Sequence, residues 1–351
     1  MSISQIASGK AASAPHKVEK RLQIQHLLSA MMLKQNKEND GSDVVWGLTQ
    51  TPKTLPPRYF YDDYGSELFE KICELPEYYV TRTEAAILQG CAGEIARLTG
   101  ACEIVELGSG SSTKTRILLD AYRDAGYPLR YVPIDVSAGI LESSAFQLLA
   151  DYPSLLIRGL VSTYELALQK LIPSSLPSRM ICFVGSTLGN LNQKECDRFF
   201  SQITNALNPG EYFLLGIDLQ KSEQMLNAAY NDSQGVTAAF NLNMLDHLNW
   251  RFDGNFDTSE FEHLAFYNTS ECQIEMHLRS LRSQTVQLRD LNLTVEFQQG
   301  ETIFTEISRK FDLNAIQHQL ASLGLKPIQV WTDPQQWFGL LLCQLQPAIG
   351  A

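Results

Sequence analysis

The sequence predicts an α/β protein, a doubly wound parallel sheet carrying an inserted α+β lobe. Three observations lead there. From Ala101 onward, short apolar runs alternate with stretches of helical spacing, the pattern of βαβ units. The first of those runs ends in a glycine-rich turn, Gly108-Ser109-Gly110. Ile217 and Leu313 are separated by roughly 95 residues, too many for one crossover connection, and the intervening chain alternates like antiparallel strands.

The elements follow in order. Cys102–Leu107 (CEIVEL) is an apolar strand, and Thr113–Ala125 places Ile117, Leu118 and Ala121 at helical spacing. Leu129–Val136 (LRYVPIDV) reads as a second strand ending in an acid, with further strands at Met180–Val184 and Tyr212–Ile217. The tail completes the sheet: a helix over Leu313–Leu323 stops at Gly324, and strands follow at Lys326–Val330 and Phe338–Leu345. Inside the long insertion, Gln273–Leu278 and Leu293–Phe297 alternate as strands.

The expected domains are a cofactor-binding part over 80–219 and 310–351, and a substrate lobe over 46–79 and 220–309. Residues 1–45 are expected to be a flexible N-terminal extension. Within it lie a disordered tail to about residue 18, a short helix over Val18–Lys37 and a polar linker over Gln35–Ser42.

Composition narrows the function classes. With 351 residues, 44% hydrophobic and 19% charged, the chain can bury a substantial core. A net charge of −11 argues against a nucleic-acid or anionic-membrane surface and favours small-molecule chemistry. No apolar run reaches the ~20 residues of a membrane span, and the amino terminus carries no secretory signature. The seven cysteines are scattered without a Cys-x-x-Cys pair, and the six histidines show no ligand spacing, so neither disulfides nor a metal site is expected. A cytoplasmic monomer is the expectation.

At the end of the first strand, Glu106-Leu107-Gly108-Ser109-Gly110-Ser111-Ser112 lets the backbone approach a ligand closely, and the following helix offers free N–H groups. Asp135, closing the second strand, is placed to accept from ribose hydroxyls. Thr113 stands where the dinucleotide fingerprint needs its third glycine, and no Gly-Lys-Ser/Thr follows the turn. An acid, Gly-x-Gly and a second acid form instead the pattern of enzymes that use S-adenosylmethionine.

The flanking segments make the likeness specific. Tyr59–Glu70 (YFYDDYGSELFE) with Pro76–Glu84 (PEYYVTRTE) resembles the histidine Nα-methyltransferases of ergothioneine biosynthesis. Four more stretches match that family in order: Glu106–Leu118, Phe183–Leu191 (FVGSTLGNL), Tyr230–Asn241 (YNDSQGVTAAFN) and Thr305–Phe311 (TEISRKF). The resemblance spans about residues 50 to 346 and implies a class I methyltransferase fold, Rossmann-like, with S-adenosyl-L-methionine as cofactor and L-histidine as substrate. It implies three successive methylations of the α-amine, giving hercynine.

By the same resemblance Gly108, Ser109, Gly110, Lys114 and Asp135 hold the cofactor, with Thr163 and Tyr164 facing adenine. Asn190 and Tyr230 hold the substrate carboxylate, Tyr61 and Tyr78 line the amine and imidazole with Tyr61 in the catalytic place, and Met276 packs near the ring. Glu306 and Ser308 read the ring nitrogen. They share a strand face because side chains alternate with period two. One departure is visible: the family carries an Asp where this chain has Thr163. Two rival readings remain, an N-methyltransferase of another amino acid such as a tryptophan derivative, and a non-catalytic S-adenosylmethionine-binding regulatory module. Glu306 disfavours the first, and the Gly108 turn with Asn190 disfavours the second.

Overall fold

The computed structural model describes residues 20–27 and 41–347. Its strands in chain order are β1 (Leu22–His26), β2 (Lys53–Thr54), β3 (Cys102–Leu107), β4 (Arg130–Asp135), β5 (Leu156–Val161), β6 (Ser178–Phe183) and β7 (Tyr212–Asp218). There follow β8 (Phe261–Asn268), β9 (Gln273–Ser280), β10 (Gln284–Leu288), β11 (Leu293–Phe297), β12 (Thr302–Arg309), β13 (Leu325–Thr332) and β14 (Phe338–Leu345). The strands and helices expected from Cys102 onward lie within two residues of the observed bounds.

The large sheet has the order β1-β5-β4-β3-β6-β7-β14-β13. All neighbours are parallel except β14, which runs antiparallel to both β7 and β13. Successive residues of each strand feed opposite sides. Ile104, Tyr131 and Leu214 join the core beneath helices Val80–Thr99, Thr113–Asp124 and Ala138–Asp151. Their neighbours Val105, Val132 and Phe213 pack instead against helices Tyr164–Gln169, Gln193–Ala206 and Leu313–Ser322. That is why these strands read as continuous apolar runs: both faces are covered. Helix starts are fixed locally, by a capping box between Asn192 and Glu195 and by the Asp312 carboxylate accepting from the Ala315 N–H at 2.8 Å.

Leu22–His26 overturns two expectations. It is a strand rather than part of a helix over Val18–Lys37, and it extends the sheet rather than belonging to a flexible extension over 1–45. Leu22 pairs with Ile157 and His26 with Val161, so β5 gains a parallel partner on its outer edge. Arg21 ties the segment down by donating to the Leu149, Tyr152 and Pro153 carbonyls. Helix Ser42–Thr49 begins where the polar linker was expected to end. The tail before residue 20 and the remainder of the expected helix and linker lie outside the described residues.

After β7 the chain enters the insertion. Helix Val236–Phe252 buries Phe240, Met244 and Leu248 in a cluster continuous with one face of the large sheet. Against it lies a four-stranded sheet of order β2-β12-β9-β8, and β10–β11 form a separate hairpin. β12 carries a bulge: Phe304 pairs with His277, yet Glu306 pairs with Met276. Thr305, the extra residue, donates from its hydroxyl to the Asn241 side chain at 2.9 Å and to the Met276 carbonyl at 3.0 Å. Before the bulge Glu306 would share the face of Phe304; after it, Glu306 turns to the side of Met276.

Candidate active site

The chain reverses direction across the sheet at β3, so the carboxyl ends of β3, β4 and β6 open onto a crevice, the usual ligand position in such folds. Gly108 sits there with φ +71°, and a β-carbon on it would lie 2.6 Å from the Tyr164 hydroxyl. Only glycine keeps that approach open. Asp135 holds the turn by accepting from the Gly110 N–H at 3.0 Å and the Ser137 N–H at 2.9 Å, which leaves lone pairs for a ribose. The Ser109 hydroxyl is buried with no partner, as expected of a group that serves a ligand. Gly108, Asp135, Val136, Thr163, Tyr164 and Glu165 line one shallow pocket. These features fit a nucleoside-bearing cofactor at this edge. Thr163 is the residue before helix Tyr164–Gln169, and its side chain caps nothing.

Lys114 stands on the helix that follows the Gly108 turn. Its ammonium pairs with Glu84, a fully buried carboxylate. Both Glu84 oxygens also accept from the Gly185 N–H, at 2.7 and 2.9 Å. Glu84 therefore ties the helix after the Gly108 turn to the loop after β6. Glu106 is structural too: the Thr115 and Tyr131 hydroxyls both donate to it, and burial holds its carboxyl above the usual range.

Behind Gly185 opens a deeper cavity of about 110 Å³. It gathers Tyr61, Tyr78, Asn190, Tyr230, Met276, Glu306 and Ser308, all named from sequence and contributed by segments far apart in the chain. Gly189 makes this possible, since a β-carbon there would lie 2.9 Å from the Arg309 carbonyl, and its absence lets the turn bearing Asn190 press on β12. Tyr61, Phe69 and Phe240 form an aromatic triangle with ring centroids 5.7 to 6.0 Å apart. Tyr78 meets Tyr230 edge-on at 6.2 Å.

The cavity's charges are strongly perturbed. Glu306 opens on the cavity but is shielded from bulk water, and loss of hydration pushes its carboxyl up to about 7 against the pull of Lys310 and the Asn190 amide. Tyr61 exposes about half its surface at the cavity mouth, yet lost hydration and the Glu306 charge hold its phenol well above the usual range. It is a neutral hydroxyl at physiological pH. Asp218, fully buried, forms ion pairs with Lys310 at 2.9 Å and with Lys221, and accepts from the Tyr79 hydroxyl. Burial works against the Lys310 charge, but Asp218 and the Tyr230 phenol outweigh it and hold that ammonium above its usual range. Lys221 is pushed down to about 8 by burial.

Glu84, Asp218 and Lys310 were not singled out from sequence, nor were the aromatic walls Phe69 and Phe240. Glu84, Lys310, Phe69 and Phe240 lie inside stretches that carried the family likeness. Asp218 follows the apolar run of β7 as Asp135 follows that of β4, and that parallel was the available signal.

The sheet order, with β14 slotted antiparallel between β7 and β13, is that of class I methyltransferases. Together with a turn that offers ribose acceptors and no phosphate cradle, it defines an S-adenosylmethionine-dependent methyltransferase. Residues 40–345 match the model of the histidine-specific, SAM-dependent methyltransferases, and the chain belongs to that family. It is 46% identical over 300 residues to the histidine N-alpha-methyltransferase of Mycolicibacterium smegmatis, covering 86% of this chain and 93% of the relative. Identity to the protein of the same name from Mycobacterium tuberculosis is 44%, with the same coverage. Ergothioneine biosynthesis protein 1 of Neurospora crassa is 29% identical over 298 residues, which are 80% of this chain and 32% of that protein.

Proposed function

We propose that the protein transfers methyl groups from S-adenosylmethionine to the α-amine of L-histidine, three in succession, giving hercynine, the first step toward ergothioneine. The observation that carries this reading is the wall of the deep cavity formed by Glu306 and Ser308, a carboxylate and a hydroxyl side by side on β12. A neutral imidazole presents one N–H and one bare nitrogen, and this pair can satisfy both. The names of the relatives point the same way.

The cofactor, held by Gly108, Ser109, Gly110, Asp135, Thr163 and Tyr164 with Lys114 at its side, supplies the electrophilic methyl group. The residues do the rest. Asn190 and Tyr230 hold the substrate carboxylate, and Tyr78 with Met276 packs the ring. The neutral Tyr61 hydroxyl accepts from the amine and orients its lone pair. An α-amine has a pKa of about 7.7–8.0, so a useful neutral fraction exists without a strong base. Each methylation leaves a bulkier, more cationic nitrogen. The aromatic triangle of Tyr61, Phe69 and Phe240 suits that product, since ring faces attract alkylated ammonium groups. The seven cysteines are all unpaired thiols, which supports a reducing, cytoplasmic setting. Among the described residues no helix is long and apolar enough to cross a membrane.

Mass spectrometry of the purified protein incubated with S-adenosylmethionine and single amino acids tests the reading. Histidine should acquire one, two and three methyl groups on the α-nitrogen. Product from tryptophan or tyrosine alone would overturn the substrate assignment and leave the methyltransferase class standing.

A further inference from the structure

The Lys310 ammonium is a buried cation in the wall of the substrate cavity, and every one of its protons is committed. It donates to the Asp218 carboxylate at 2.9 Å, to the Ser308 hydroxyl oxygen at 2.8 Å and to the Tyr230 hydroxyl oxygen at 3.2 Å. An ammonium has three donors and no acceptor. Both hydroxyl oxygens therefore accept from Lys310, and neither can point its own proton back at it. The Tyr230 hydroxyl donates to Ser308 at 2.7 Å, so the Ser308 oxygen accepts twice. Its one proton is left to face the cavity, where Ser308 is part of the lining. When a carboxylate enters, the Tyr230 proton can turn to it while Lys310 keeps both oxygens as acceptors.

We infer that Lys310, anchored by Asp218, is a positioning residue that turns the Tyr230 and Ser308 hydroxyl protons away from itself and toward the substrate, so that the ring-reading wall presents one acceptor and one donor. This rests on the proposed histidine reading and sharpens it. Glu306 accepts from the ring N–H, and Ser308, whose proton cannot point at Lys310, donates to the bare ring nitrogen. A ring that keeps its N–H but lacks the bare nitrogen leaves the Ser308 proton without a partner. Such a site rejects that ring, because an unsatisfied buried donor is costly. Without Lys310 the Ser308 hydroxyl is free to rotate, and the rejection fades.

The two pyrrolylalanines supply the probes. Each keeps a single N–H and replaces the other ring nitrogen by C–H. The wild-type protein should favour histidine over the better of the two by roughly 10-fold or more in kcat/KM. In Lys310→Met, which keeps the side chain's length and removes its donors, that ratio should fall to within about threefold. Adenosylhomocysteine affinity should stay at the wild-type value. Asp218 retains Lys221 and Tyr79 in this variant, so its carboxylate is not left bare. Should Lys310→Met melt too low to assay, Lys310→Met with Asp218→Asn and Lys221→Met removes the buried charges together and carries the same expectation. A merely structural role would lower kcat/KM for all three substrates alike; a folded variant with the wild-type ratio overturns the inference. A wild-type protein inactive on histidine would instead sink the functional reading.

Discussion

The two pockets are built in opposite ways. The cofactor edge is shallow and drawn from three neighbouring strand ends, those of β3, β4 and β5, with Asp135 also bracing the turn. The substrate cavity draws on the segments around Tyr61, Tyr78, Asn190, Tyr230, Met276 and Glu306, and is surrounded by buried charge. A site whose ligand carboxylate also braces its own turn loses shape and contact together. A site assembled from many segments can change what it reads, one residue at a time, while the neighbouring pocket keeps its ligand.

The largest expected effect is at the cofactor edge. Asp135→Ala removes the acceptor of the Gly110 and Ser137 N–H groups as well as that of the ribose. At about 1.5–3 kcal/mol per charge-assisted hydrogen bond, adenosylhomocysteine should bind roughly 100-fold or more weakly. Calorimetry finding unchanged affinity would remove Asp135 from the site. Glu306→Ala should do the converse and cut histidine kcat/KM by roughly 10- to 150-fold while leaving adenosylhomocysteine affinity alone. It should also let larger apolar rings such as indole compete. Wild-type histidine kinetics in that variant would reopen the substrate's identity. If each variant weakened both ligands equally, the two pockets would be one energetic unit and the contrast would fail.

The smallest effect is on stability. Glu306 in the folded protein titrates near 7, raised by lost hydration from about 4.5. Between those values the folded protein holds a proton that the unfolded chain has released. Stability therefore falls as pH rises through that window and levels off above it. Glu306→Gln carries no such proton. Its melting temperature should draw ahead of the wild type by a few degrees between pH 5 and 7 and keep that lead at pH 8. A lead that is the same at pH 5 and pH 8 would show that the carboxyl is not shifted.

What the sequence disclosed follows the same division. The turn at Gly108 and the acid at Asp135 are local features, readable because strand ends and glycines have local signatures. The large sheet was legible because its strands are apolar on both faces. Leu22–His26 was missed because LQIQH carries only Leu22 and Ile24 at strand spacing, amid residues that equally favour a helix. Lys310 and Asp218 were missed for a different reason. Charged side chains are ordinarily solvated, and nothing in the one-dimensional order announces that an Asp at the end of β7 meets a Lys beyond β12 in a dry interior. Glu306 and Ser308 were correctly put on one strand face, but the bulge that aims that face at the cavity has no sequence signature here.

That bulge divides β12 into two halves with separate obligations. Upstream, Ile303 and Phe304 pair with Lys53 and Thr54 and hold the lobe to the segment that leads into the Tyr59–Glu70 stretch. Downstream, Glu306 and Ser308 face an existing hollow, and Thr305 secures the switch of face through Asn241 and the Met276 carbonyl without help from either. The strand is in this sense modular: Ser308 is tied to the Lys310 and Tyr230 donors, whereas variation at 306 can explore new side chains against a bulge that does not depend on it. A lineage or a designer could thus retune the choice of amino acid by changing position 306, with no need to rebuild the lobe.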